Sequence, residues 1–481
     1  MASIIHPSAA RRSLTHLLLA GNNPLSPPAA SPSLHRQSPS NPSLTPLPFN
    51  SWIGSIGRAA DVRAGWSILP HSLSSGLAHS LIGYQSEGVD RVFAVGRNEM
   101  GQLGVGWNSH EGTRGLVEAF EGDGVLGVRA GSQSSYMLVK EGGAISHQSS
   151  KLYATLIRGG KDSTAVWAFG SLQRGRLGHP GAAAPSEIRE QDEPELKMLA
   201  KATRLDLPQG VGSIQDAQVG FEHLLLLSEG GEIYGTGCNT DGQLGLGEEV
   251  VKDVYEITRM PLPDQVVHEG VARIRAGADT SALITYSGDL YTWGNSEYAQ
   301  GLHGHKIDQI HSPTLVPTKS FLQPGRKIID IRCGGSFSLL LDDHGSVYSA
   351  GFGALGLGSE VLESHAVQRI PSLEGISRIR AGWGWAVAVR DKGPASTIYT
   401  WGVNNAAGRL GVGRTRKGGP AMHVFEPVQL ELPLRELDMH AEDGESRIWE
   451  LGEVECGQDA LWATMVEDVT DTERGYDDME C

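Results

Sequence analysis

The sequence predicts an all-β fold, a seven-bladed β-propeller closed by its N- and C-terminal strands, because two short phrases alternate along most of the chain. The first phrase is clearest at 92–106, VFAVGRNEMGQLGVG, where an apolar strand runs into glycines that suit a tight turn. The second phrase, a small residue, a glycine, three variable residues and an apolar strand, occurs seven times. A period of roughly 40–57 residues with several strands per repeat is typical of propeller blades and not of helical solenoids.

Each copy of the first phrase is predicted to form a strand followed by a tight turn. Glycine adopts the positive φ of such a turn at little energetic cost. In three copies an asparagine follows the first glycine by two residues, at Asn98, Asn239 and Asn404, and can hydrogen-bond the backbone of the same turn. We therefore predict structural turn roles for Gly96, Gly101, Gly237, Gly242, Gly294, Gly351 and Gly402.

The glycines of the second phrase are predicted to lie where two backbones approach too closely for a side chain. We call them the ring glycines: Gly76, Gly131, Gly220, Gly277, Gly334, Gly382 and Gly457. The first phrase has six clear copies, so one blade lacks strands at the C-terminal end. We expect Trp52 and its neighbours, which look like a degenerate first phrase, to pair with 454–466 and close the ring.

These phrases resemble the regulator of chromosome condensation repeat family over roughly 52–466. Two departures from the family pattern, WGNSEYAQ at 293–300 and GFGALGLG at 351–358, are similar to blades of its mitochondrial, guanine-exchange-factor-like branch. The resemblance implies a scaffold that supports mitochondrial ribosome assembly or ribosomal RNA modification through protein contacts. The alternative that it implies is nucleotide exchange on a mitochondrial GTPase, although the loop wedge that the family's nuclear member uses does not map onto this chain.

Composition limits the classes of function. The formal net charge of −16 disfavours nucleic acid as the primary partner, so an RNA contact is expected to be secondary to protein partners. The four cysteines form no CxxC pair. Blade geometry explains each repeated motif, and His79 and His223 are expected to form buried hydrogen bonds. We therefore expect no enzyme chemistry, no catalytic or metal-binding residues and no cofactor. No apolar stretch is long enough to span a membrane, and we expect a monomer.

The N-terminal region differs in composition from the rest of the chain. Residues 1–60 contain no acidic residue but include Arg11, Arg12 and Arg36, which is typical of a mitochondrial transit peptide. We predict that 1–46 is a transit peptide or disordered, that 47–466 is the propeller, and that the protein is mitochondrial, in the matrix or associated with the inner membrane. The acidic tail 467–481 is expected to be disordered.

Loops on the propeller rim are the expected sites of partner binding, because rigid scaffolds usually carry function on their loops. Insertions are predicted near 142–164, 179–212 and 436–446, the second with a short helix at 196–202. The most basic loop supplies four candidate partner-binding residues: Arg409, Arg414, Arg416 and Lys417. Trp383 and Trp385 flank Gly384 and are predicted to pack in the core.

Overall fold

Seven four-stranded antiparallel sheets make up the described part of the chain, and they form a seven-bladed β-propeller. The computed structural model describes residues 15–22, 40–117, 124–140, 164–179, 198–413, 421–439 and 447–467. The predicted fold class is confirmed. Within these residues, no helix is long and apolar enough to cross a membrane.

The first six blades each use four consecutive strands. Blade 1 contains β3 (Ser67–Ser75), β4 (His79–Ser86), β5 (Val89–Asn98) and β6 (Ser109–Leu116). Blade 2 contains β7 (Val125–Ala130), β8 (Ser134–Lys140), β9 (Thr164–Ser171) and β10 (Met198–Arg204). Blade 3 contains β11 (Ile214–Val219), β12 (His223–Ser228), β13 (Ile233–Gly237) and β14 (Val254–Arg259).

Blades 4 to 6 repeat this order. Blade 4 contains β15 (Val271–Ala276), β16 (Thr280–Thr285), β17 (Leu290–Asn295) and β18 (Gln309–Leu315). Blade 5 contains β19 (Ile328–Cys333), β20 (Phe337–Asp342), β21 (Val347–Phe352) and β22 (Glu363–Arg369). Blade 6 contains β23 (Arg378–Gly382), β24 (Trp385–Arg390), β25 (Thr397–Val403) and β26 (His423–Gln429).

Blade 7 is the closing blade, and it joins the two ends of the chain. Its strands lie in the order β27 (Trp449–Cys456), β28 (Ala460–Glu467), β1 (Thr15–Asn22) and β2 (Ser40–Pro46). β1 pairs with β28 from Thr15 opposite Val466 to Gly21 opposite Ala460. The expectation that Trp52 and its neighbours supply the missing strand is wrong. A middle strand is covered on both faces, and the apolar side chains of Leu17, Leu18, Leu19 and Ala20, each at most 1% exposed, meet that requirement.

Trp52 lies instead in a short helix beside the closing blade. Helix α1 (Phe49–Ser55) is followed by α2 (Ala59–Ala64), and the Trp52 ring stacks on Phe93 of blade 1 with ring centroids 6.2 Å apart. The same apolar cluster contains Leu17 and Trp462, so the helix covers the junction between blades 7 and 1. Two further helices, α3 (Asp264–Glu269) and α4 (Leu434–Met439), lie in connections between blades.

The predicted domain limits change at the N-terminus. Residues 15–22 and 40–46 belong to the propeller, so the prediction that 1–46 lies outside it is wrong for these two strands. Residues 1–14 and the tail beyond Glu467 lie outside the described residues.

The insertions are only partly described. Residues 141–163, 180–197 and 440–446 lie outside the described ranges. The short helix predicted at 196–202 is wrong where the structure describes it, because Met198–Arg204 is β10 and pairs with β9. The start of the third insertion, at 436–439, belongs to α4.

The predicted turn glycines adopt the left-handed region of φ. Their φ values run from 70° at Gly101 to 127° at Gly96. The asparagine side chains act inside the same turns: Asn239 Oδ1 accepts a hydrogen bond from the backbone N–H of Leu244 at 2.8 Å, and Asn98 Oδ1 accepts one from Leu103 at 3.0 Å. These bonds direct the leucine of each turn into the core, where both leucines are fully buried.

Candidate functional site, the ring face and the central channel

The seven ring glycines lie at one end of the propeller, which we call the ring face. A Cβ atom on Gly76 would stand 2.0 Å from the carbonyl oxygen of Gly131 in the next blade, and one on Gly220 would stand 2.5 Å from that of Gly277. The ring closes where a Cβ on Gly457 would meet Ser75 Oγ at 2.2 Å. The predicted close approach of backbones is therefore confirmed, and it makes this end of the propeller rigid.

Buried histidines link neighbouring blades just beneath the ring glycines. His79 Nε2 lies 2.7 Å from Ser135 Oγ of blade 2, and that hydroxyl donates to the carbonyl of Gln102 in blade 1. His223 and Ser281 repeat the contact between blades 3 and 4 at 2.9 Å. Because each serine donates its proton to a carbonyl, the histidine must donate from Nε2, which leaves Nδ1 without a proton in the neutral ring.

Two aromatic pairs lie at the ring face, one formed between blades 3 and 6 and the other between blades 4 and 5. Phe221 and Trp383 meet edge to face with ring centroids 5.1 Å apart, and Tyr298 lies 5.4 Å from Phe352. We define the aromatic patch as these four residues. Trp383 is 49% exposed and Phe352 is 43% exposed. Exposed aromatic side chains grouped on a rigid surface are typical of sites that bind proteins.

The two tryptophans beside Gly384 separate into different environments. Trp385 is fully buried at the start of β24, and its indole N–H donates to the carbonyl of Gly457 at 3.1 Å. Trp383 lies on the surface, so the prediction that both pack in the core is wrong for Trp383. It occupies the variable part of the second phrase, which forms the loop of the ring face and does not enter a strand.

A cavity of about 890 Å³ runs along the propeller axis, and the first strand of each blade lines it. Phe221 and Trp383, which come from blades 3 and 6, contact each other at its ring-face end. Within the described ranges, no group of three His, Cys, Asp or Glu side chains is arranged to hold a metal ion.

Comparison with known proteins agrees with this geometry. Models of the regulator of chromosome condensation (RCC1) repeat match residues 214–243, 230–284 and 287–341. An RCC1-like G exchanging factor-like protein of Mus musculus is 28% identical over 362 residues, which cover 72% of this chain and 71% of the relative. The chain therefore contains RCC1 repeats over 214–341 and is similar to RCC1-like proteins over most of its length.

Solved RCC1-type propellers share the fold. Human WBSCR16 has a TM-score of 0.66 at 20% identity, and the match covers 94% of this chain and 98% of that chain. Prp20p of Saccharomyces cerevisiae, whose structure is described with its binding properties to Gsp1p and histones, has a TM-score of 0.66 at 18% identity. That match covers 96% of this chain and 93% of Prp20p.

Arg409 has a structural role in this RCC1-repeat propeller. It is 7% exposed, and its guanidinium donates to the carbonyls of Gln458 at 2.6 Å, Val403 at 2.9 Å and Trp383 at 3.2 Å. These bonds join blade 6 to blade 7. Three of the five N–H donors of Arg409 therefore already serve the fold, and its role in partner binding stays a prediction.

The repeat itself contains the signal that identifies this role. Arg409 in GRLG occupies the same position as Gln243 in GQLG and Arg176 in GRLG. Gln243 Nε2 reaches Asp279 of the next blade at 3.1 Å, and Arg176 Nη2 reaches Glu222 at 2.7 Å. A residue that recurs at one position of the repeat usually stabilises the contact between blades, whatever the charge of the surrounding loop.

The other three candidates, Arg414, Arg416 and Lys417, lie outside the described residues. The described residues on either side of them are at the ring face. Asn404, in the turn that follows β25, donates from Nδ2 to the carbonyl of Ala421 at 2.8 Å. Their role in partner binding therefore stays a prediction.

Replacing Arg409 with alanine is expected to lower the free energy of unfolding by about 2–3 kcal/mol, because three carbonyls lose a charged donor. Chemical denaturation of the full-length protein measures this. Arg97→Ala is the control, since Arg97 is an exposed arginine on the same face. Equal stability of the two variants would contradict the structural role of Arg409.

Acid is expected to destabilise the propeller through the two histidines. Burial lowers the pKa of His79 and of His223 to about 4, from an ordinary value of 6.5. Between these values the unfolded chain binds protons that the folded chain does not bind, so the free energy of unfolding falls as the pH falls through this window. The expected loss is about 2 kcal/mol per histidine by pH 5.

Urea denaturation at pH 7 and pH 5 tests this expectation. The wild-type protein should lose about 4 kcal/mol more than the double variant His79→Gln, His223→Gln over this interval, because glutamine does not titrate. The quantity compared between the two proteins is the change in the free energy of unfolding from pH 7 to pH 5. The absolute stability at either pH does not enter the comparison. The same pH dependence in both proteins would contradict the assignment.

Proposed function

We propose that this protein is a non-catalytic mitochondrial propeller that binds protein partners with its ring face, in support of mitochondrial ribosome assembly or ribosomal RNA modification. The aromatic patch is the observation that carries the proposal. Trp383 and Phe352 expose large apolar surfaces on a scaffold whose backbone is fixed by close contacts between blades. Such side chains provide much of the binding free energy in protein interfaces.

Charged side chains border the aromatic patch on two sides, as expected of a protein interface. Near Phe221, Arg174 pairs with Glu222 at 2.5 Å and with Asp253 at 3.1 Å. Near Tyr298, Lys306 Nζ lies 5.8 Å from the ring centroid and 2.6 Å from Glu363. An apolar centre with a charged border favours a partner of matching pattern over non-specific adhesion.

Mitochondrial targeting is assigned to the segment before β1. The strands Thr15–Asn22 and Ser40–Pro46 are needed by the closing blade, whereas residues 1–14 contain Arg11 and Arg12 and no acidic residue. Fusing 1–14 and 1–47 separately to a fluorescent reporter tests this assignment. Both fusions are expected to give a mitochondrial reporter signal. A cytosolic or nuclear signal from both fusions would contradict the proposal that the protein is mitochondrial.

Affinity purification from mitochondria tests the scaffold role. Tagged full-length protein is expected to co-purify with ribosomal subunits or RNA-modifying enzymes, and its depletion is expected to reduce assembled ribosomes. Recovery of the protein without any such component would contradict the scaffold proposal.

Exchange activity is the second candidate. It is supported by the name of the mouse relative, an RCC1-like G exchanging factor-like protein. Purified protein at substoichiometric amounts should then accelerate the release of labelled GDP from a mitochondrial GTPase, which a passive scaffold cannot do. An unchanged release rate across the mitochondrial GTPases tested would reject this candidate.

A further inference from the structure

Arginines concentrate in the central channel of a protein whose net charge is −16. In the first strand of each blade, the residue two positions before the ring glycine lines the channel, and these residues together form one layer of its wall. We call it the inner layer, and its charged members are Arg129, Arg275, Arg332, Arg380 and Glu455. Four guanidinium groups thus stand at one level with a single carboxylate.

Carboxylates from the next layer neutralise these arginines only in part. Asp330 serves two of them, since it lies 2.8 Å from Arg275 and 3.3 Å from Arg332. Asp216 pairs with Arg129 at 3.3 Å, and Arg380 pairs with Glu455 at 3.1 Å. Arg273, Arg378 and Glu453 also line the cavity, and Arg378 pairs with Asp391 at 2.5 Å. Five carboxylates therefore face six arginines, and one positive charge stays in excess inside the channel.

Three neighbouring blades also retain donors that no protein group uses. Among the described residues, Arg332 Nη1 and Arg380 Nη2 make no hydrogen bond, whereas Arg332 Nε donates to Asp330 and Arg380 Nε donates to Glu455. Arg273, four positions before the ring glycine of blade 4, is exposed and makes no hydrogen bond or ion pair in the described part of the chain. All three residues line the cavity, from blades 4, 5 and 6.

The positive charge of Arg332 carries a cost in the folded protein, whereas for Arg380 the effect of burial is outweighed by nearby carboxylates, Glu455 first, which hold its pKa above its ordinary value. Burial lowers the pKa of Arg332 to about 9, and the neighbouring Arg275 and Arg380 act in the same direction, against the opposing effect of Asp330. An anion bound beside Arg332 would relieve this cost by supplying the missing negative charge.

We propose that the central channel binds a small anion that carries a diphosphate group, held by Arg273, Arg332 and Arg380. A phosphate group presents three oxygens in different directions and about two negative charges, which suits guanidinium donors that arrive from three blades. A single carboxylate has two oxygens in one plane and satisfies one arginine. The cavity of about 890 Å³ has room for a diphosphate and for a nucleoside attached to it.

The anion enters from the end of the channel opposite the ring face. Phe221 and Trp383 contact each other at the ring-face end, whereas Arg273 lies toward the opposite end and is exposed. The channel site is therefore separate from the aromatic patch, and it does not depend on the function proposed for that patch.

Isothermal titration calorimetry of the full-length protein tests the proposal, with inorganic pyrophosphate and ADP as separate probes at about 0.15 M salt. Binding of pyrophosphate alone supports a free diphosphate as the ligand, and binding of ADP as well supports a nucleoside diphosphate. Absence of binding by both probes up to about 1 mM overturns the proposal.

Two variants and a control locate the site. Arg273→Gln removes a cavity arginine without breaking an ion pair, and Arg332→Lys keeps a charge beside Asp330 while removing the free Nη1. Each is expected to weaken binding about tenfold. Arg369→Gln, on the outer strand β22, should bind as the wild type does. Wild-type affinity in Arg273→Gln, or equal weakening in Arg369→Gln, would place the anion elsewhere and overturn the proposal.

Discussion

Removal of residues 1–46 is expected to prevent the propeller from folding as a cooperative unit. The deletion removes β1 and β2, and with them Leu17, Leu18, Leu19 and Leu44, each at most 3% exposed. Loss of four buried leucines costs about 6–12 kcal/mol, which is comparable with the whole stability of a typical domain. The exposed edge of β28 would also pair with other chains and promote aggregation.

Circular dichroism during thermal unfolding and size-exclusion chromatography measure this effect. A chain that lacks only residues 1–13 is the control, because the deletion stops before β1 and should leave the unfolding transition unchanged. A soluble, cooperatively unfolding protein after removal of 1–46 would contradict the assignment of β1 and β2 to the closing blade.

Gly277→Val is expected to destabilise the propeller by about 3 kcal/mol or more. A Cβ atom at this ring glycine would lie 2.3 Å from the carbonyl oxygen of Cys333 and 2.4 Å from its Cβ. Both atoms belong to β19 of the next blade, and a strand in the middle of the ring cannot move without displacing its neighbours.

Gly212→Val is the matched control, since a Cβ at Gly212 would meet no atom within 4 Å. Urea denaturation of both variants should show a large loss for Gly277→Val and a change within about 0.5 kcal/mol for Gly212→Val. Equal stability of the two proteins would show that the ring glycines are not required for contact between blades.

The repeats made most of the fold predictable. Ring glycines recur in seven blades and turn glycines in six, so local patterns alone indicate seven blades and their order. His79 and His223 could be assigned to buried hydrogen bonds for the same reason. The physical cause is that each of the first six blades makes the same close contact and the same tight turn, and glycine fits both.

The closing strands could not be predicted in this way. β1 and β2 carry neither phrase, and β28, the strand that pairs with β1, lies more than four hundred residues away in the chain. The short apolar run at 17–20 fits a leader peptide as well as it fits a strand that is buried on both faces. Only the pairing of distant segments decides between these two structures.

Local composition is a poor guide at two positions of the candidate site. Arg409 precedes a run of basic residues, but its place in the repeat is that of Gln243. Trp383 and Trp385 are close in sequence, but they lie on opposite sides of the boundary between loop and strand. Neither exposure nor burial follows from residue type at such a boundary.

Quantitative mass spectrometry of partners that co-purify with ring-face variants tests the proposed binding surface most directly. The double variant Phe221→Ser, Trp383→Ser removes one aromatic pair of the aromatic patch, and Tyr286→Ser removes an aromatic side chain, 67% exposed, from the opposite face. We expect the first variant to lose its specific mitochondrial partners and the second to retain them, with both proteins folded by circular dichroism. Wild-type partner recovery in the folded Phe221→Ser, Trp383→Ser protein would contradict the assignment of the ring face as the binding surface.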